Sequence, residues 1–102
     1  MRRHTDACVK ATLDADLTGC RYRLSLKGQS QTVVKTQDDC STDVSGGVST
    51  ISCWLDVDET SGFRAGESVT GQLNWVDAGG HRHASGMDSF RVSQNQDEGD
   101  IA

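Results

Sequence analysis

Two histidines, His81 and His83, stand two residues apart, with Asp77 shortly before them. On a strand, residues i and i+2 share a face, so two imidazoles and a carboxylate across a turn offer a donor set that could ligate a metal. A polar return strand is more simply a solvent-exposed edge, and no cofactor is expected. The four cysteines, Cys8, Cys20, Cys40 and Cys53, contain no C-x-x-C pair, which argues against a structural zinc site. Their even number would allow two disulfides. The first residues lack an apolar secretory stretch, so reduced thiols are expected, with Cys20 and Cys53 as buried small hydrophobes and Cys40 as the reactive one. No G-x-S-x-G, no carboxylate pair in an apolar setting and no phosphate-cradling glycine loop is present. Enzymatic chemistry is therefore not expected.

The residues that remain suit binding better than catalysis. Trp54 falls on the opposite side of its strand from the apolar residues Ile51, Cys53, Leu55 and Val57. It either covers a second sheet face or anchors an interface, where exposed tryptophan is enriched. Arg21, Arg23 and Lys27 form a basic stripe on one strand face, which is either a solvated sheet face or a docking surface. Arg2 and Arg3 add cations at the N-terminus, and the two tails complete the candidate contacts.

The elements that must position these residues are strands. Cys20, Tyr22, Leu24 and Leu26 alternate with Arg21, Arg23, Ser25 and Lys27, the period of a half-buried strand. Thr5–Leu13 and Gln31–Thr36 read as strands on either side, and Val48–Val57 as a fourth. Gln37–Gly47 is polar and turn-rich and reads as a loop. Asp58–Phe63 suits one helical turn capped by Asp58. Glu67–Val92 organises the rest: Val69, Gly71, Leu73 and Trp75 alternate, Ala78-Gly79-Gly80 permits a tight reversal, His81–Ser85 returns, and Gly86 kinks the chain before Phe90 and Val92. The expectation is an all-β, Ig-like antiparallel sandwich of six or seven short strands. Residues 1–94 would form one domain and residues 95–102 an acidic tail.

Composition narrows the partners. Hydrophobic residues make up 34% of the 102, with five aromatics, so the core between the sheets must be thin. The net charge of −5 is split: residues 1–35 hold seven Lys/Arg and three Asp/Glu, residues 36–102 three and twelve. An acidic chain with one modest basic segment is poorly suited to nucleic acid, which needs clustered cations. No apolar run reaches membrane length. Copies could instead pack basic segment against acidic segment.

The order of motifs adds a resemblance. DLTGCRYRLSLKG (16–28), ISCWLDVDETSGFRAG (51–66) and GQLNWVDAGGHRHASGMDSFRVSQ (71–94) follow one another. This order is similar to small β-sandwich modules of tailed bacteriophages, found at the N-terminus of baseplate upper proteins and as stand-alone virion proteins. The matching positions are Asp16 to Gly19, Thr60 with Gly66, Asp77 with Gly80, and Ser85-Gly86 with Phe90 and Val92. Two additional residues separate Gly86 from Phe90, and Val69 replaces an aromatic of that pattern. The resemblance implies a structural role in the virion, made in the host cytoplasm, with other virion proteins and copies of itself as partners. A carbohydrate- or receptor-binding module is the alternative.

Overall fold

The computed structural model describes residues 1–98. Eight strands are present among them: Ala7–Leu13 (β1), Arg21–Lys27 (β2), Thr32–Thr36 (β3), Cys40–Ser45 (β4), Val48–Leu55 (β5), Ser68–Val76 (β6), Arg82–Ala84 (β7) and Asp88–Arg91 (β8). They form two antiparallel sheets, one ordered β1-β5-β4 and the other β3-β2-β6-β7, with β8 also pairing β6. The expected all-β sandwich is therefore the observed architecture, with one strand more than expected.

The additional strand is β4, inside the stretch read as a loop. Its inward residues Cys40, Thr42 and Val44 are too weakly apolar to announce a strand, and its other face is solvent-exposed. What fixes it is the turn. Gly46 and Gly47 both adopt positive φ (59° and 78°), the conformation of a two-residue hairpin, and pair Ser45 with Val48.

Alternation elsewhere acts as the sequence suggests. Tyr22, Leu24 and Leu26 of β2 and Val69 and Leu73 of β6 point inward against Ile51, Cys53 and Leu55 of β5. Burying each large aliphatic side chain contributes about 1.5–3 kcal/mol. Phe63, fully buried, closes one end of this core. It lies so near the chain at Gly28 that a Cβ there would stand 2.9 Å from its ring.

Between β5 and Phe63 lies a single helical turn, Val57–Ser61 (α1). Its cap is Asp56, not the expected Asp58: Asp56 Oδ1 accepts from the Glu59 N–H at 2.8 Å, and Glu59 Oε1 accepts in return from the Asp56 N–H at 3.1 Å. The reciprocal arrangement needs Glu three residues after the cap, which Asp56 has and Asp58 lacks. At Ser85 the chain kinks between β7 and β8. The Ser85 N–H donates to the Leu73 carbonyl (2.8 Å) while its hydroxyl accepts from the Leu73 N–H (3.0 Å), so one side chain replaces a missing ladder partner.

The two ends of the described chain hold each other. The Ser93 N–H donates to the Met1 carbonyl at 2.7 Å, and the Arg3 N–H donates to the Ser93 carbonyl at 3.0 Å. Asn95 donates to the Arg3 carbonyl and Glu98 pairs with the Arg3 guanidinium at 2.7 Å. Of the expected acidic tail, residues 95–98 thus pack on the N-terminal segment, and residues 99–102 lie outside the described residues.

Candidate interaction surface

Antiparallel pairing places directly opposite residues on the same side of a sheet, so the register fixes what the outer face of the five-stranded sheet carries. Arg21 pairs with Val76, which pairs with Arg82. Arg23 sits between Thr36 and Asn74, and Lys27 between Thr32 and Thr70. Arg91 lies opposite Ser68. Five of the chain's ten Lys/Arg therefore share one sheet face, and none of its fifteen Asp/Glu occupies a strand position there. The remainder of the chain holds five cations and fifteen carboxylates, a net −10.

Arg21, Arg23 and Arg82 line an open depression of about 430 Å³ together with Asn74 and Val76. Asp38, from the 3-10 turn Gln37–Asp39, also lines it. Among the described residues, Arg21, Arg23, Lys27 and Arg82 form no ion pair. Guanidinium groups with free forks and adjacent amides are equipped for carboxylates and other oxyanions. Sequence reasoning found Arg21, Arg23 and Lys27 but not Arg82 and Arg91. Both are isolated in the sequence, and only the register of β7 and β8 on β6 brings them to this face.

On the outer face of the other sheet, Trp54 is 63% exposed, as its phase in β5 suggests. Its cross-strand partner is Cys8, also exposed. Asp6 and Asp56, both exposed, follow at the adjoining ends of β1 and β5, and Asp58, also exposed, lies in the first turn of α1. Lys10 is the cation on the strand positions of this face.

The remaining candidates lie elsewhere. Arg2 is exposed and donates to the Gln94 carbonyl. Arg3 is half-buried, and its guanidinium donates to the Phe63 carbonyl (2.6 Å), the Ser61 carbonyl (3.0 Å) and Glu98, so it braces the termini. Cys40, expected to be the reactive thiol, is instead bonded to Cys53 across β4 and β5. The reading of that segment as a loop hid the pairing, because a loop gives no register. Cys20 is half-buried and Cys8 is the exposed free thiol.

Asp77, His81 and His83 do come together. His83 Nε2 lies 2.8 Å from Asp77 Oδ2, and His81 Nδ1 lies 3.5 Å from Oδ1. Oδ1 also accepts from the backbone N–H of Gly79 (2.9 Å) and His81 (3.0 Å). The His83 contact first, then these N–H groups and the nearby His81 charge, hold the Asp77 carboxyl down to about 2, against a weaker opposing influence of burial. His83 stacks on Trp75 with ring centroids 5.3 Å apart. This arrangement braces a turn. Among the described residues, no group of three or more His, Cys, Asp or Glu is arranged to hold a metal ion.

No protein-family model matches the sequence. No curated protein matches it either. Among solved structures, the chain is similar to part of an uncharacterized protein of Listeria monocytogenes, lmo2446, whose crystal structure holds α-D-glucose, β-D-glucose, magnesium and calcium. The match has a TM-score of 0.58 at 18% identity, and covers 89% of this chain and 8% of that one. At this identity it establishes the shared sandwich fold. The chain spans less than a tenth of that protein's length.

Proposed function

We propose that this chain is a non-enzymatic structural protein of a tailed-bacteriophage particle that works by packing against other proteins. The observation that carries the reading is the outer face of the five-stranded sheet: five cations and no carboxylate at its strand positions, on a chain whose net charge is −5. Scattered surface charge interleaves both signs. A one-sign face on an oppositely charged molecule orients it toward a complementary partner. The order of turn motifs that resembles phage sandwich modules supplies the assignment to a virion. The Cys40–Cys53 disulfide supports a final location outside a reducing cytoplasm, as on a released particle.

A lysate producing particles tests this reading directly. Co-sedimentation of the chain with particles, persisting through purification, is the expected result. A chain found wholly in the soluble fraction would remove the virion assignment.

A second reading, a sugar- or receptor-binding module, draws on the glucose bound to the Listeria protein and on the arginine and amide groups around the depression. Specific glycan binding by the isolated chain, lost in Arg21→Ala, would favour it.

A further inference from the structure

Both halves of one contact are present on this chain, on the outer faces of different sheets. One is a socket: the depression lined by Arg21, Arg23 and Arg82, with room for a large side chain in its 430 Å³. The other is a plug: Trp54, 63% exposed, with the exposed residues Asp6 and Asp56 just beyond the end of its strand pair and Asp58 on the helical turn that follows. An indole among guanidinium groups gains cation–π attraction, and the Asp6 and Asp58 carboxylates gain charge-assisted hydrogen bonds to the same groups, while Asp56 keeps its bond as the cap of α1. We propose that copies of this chain associate head to tail, the Trp54 plug of one copy seating in the arginine socket of the next.

This deepens the reading of the chain as a packing protein and rests on it. The charge balance favours a second copy over nucleic acid or an acidic polysaccharide. Everything outside the basic face carries a net −10, which repels a long polyanion but offers an acidic surface to a neighbouring basic face. Asp38 at the socket and Lys10 on the plug's face are opposite in sign to their surroundings, so they carry charge that can pair with each other between copies. Because plug and socket lie on the opposite outer faces of the sandwich, two copies cannot make both contacts at once, so the contact is heterologous and propagates into rings or filaments.

The test uses two double variants of the full chain, each folded as judged by circular dichroism. Trp54→Ala with Asp58→Asn removes the plug and leaves the socket; Arg21→Glu with Arg23→Glu does the reverse. In sedimentation velocity the wild type should form concentration-dependent oligomers that weaken as salt rises from about 50 to about 500 mM. Each variant alone should self-associate at least about 30-fold more weakly. An equimolar mixture should form a one-to-one heterodimer through the single intact contact.

A mixture that stays monomeric, or a variant that associates like the wild type, overturns the proposal. So does a basic face that binds an anionic polysaccharide while the same substitutions leave self-association untouched. The two readings fail separately. A wild type that is monomeric yet pellets with particles overturns the plug and socket and leaves the packing role. A chain that oligomerises but is absent from particles does the opposite.

Discussion

At Asp77 one carboxylate organises a whole reversal. Its two oxygens take the N–H groups of Gly79 and His81 and the ring of His83, while Gly80 turns at φ 81°. Because the folded carboxyl lies near 2, below its ordinary 3.8, ionised Asp77 stabilises the fold above about pH 4. That contribution falls away as pH drops through the folded value. We expect NMR titration of the Asp77 carboxyl to give a midpoint near 2, and His83→Ala to move it toward 3.8. A midpoint that His83→Ala leaves in place would show that the backbone N–H groups alone set it. The sequence placed two histidines and an aspartate within reach of one another. It could not reveal that the turn's own backbone claims the carboxylate.

The β4–β5 hairpin is the element where the fold was least legible. Strand β2 announces itself because leucines and a tyrosine alternate with arginines. Strand β4 alternates Cys40, Thr42 and Val44 with polar residues, a contrast too small to separate from a loop. Edge strands on a thin core need little apolar surface, so pattern fails where burial is shallow. The disulfide supplies what the side chains lack, closing a loop with a sequence separation of 13. Its reduction should lower stability to denaturant by about 2–3 kcal/mol, measured by urea unfolding with and without dithiothreitol. Thiol labelling of the oxidised protein should modify Cys8 first and Cys20 slowly, leaving Cys40 and Cys53 unmodified until reduction. Labelling of Cys40 under oxidising conditions would mean that the bond is absent.

Across the whole molecule, the sequence displayed the fold class and three of the five cations of the basic face. Arg21, Arg23 and Lys27 share a strand and are visible as a stripe. Arg82 and Arg91 join them only through pairing between residues distant in sequence, which one chain's pattern does not encode. The same applies to Arg3. It looked like a free terminal cation, but Ser61, Phe63 and Glu98 lie beside it and bind its guanidinium.

The zipped termini carry one more consequence. With the Met1 carbonyl bonded to Ser93 and Arg3 paired with Glu98, the two ends of the described residues sit side by side, distant in sequence but adjacent in space. A protein built this way is already almost circular. Joining its ends with a short flexible linker and opening the chain between Gly46 and Gly47 should yield a circular permutant. It should keep the native circular dichroism spectrum and a cooperative melt, with the disulfide now closing a different covalent loop. If that permutant does not fold, the Gly46–Gly47 hairpin is needed to nucleate the fold as well as to turn the chain.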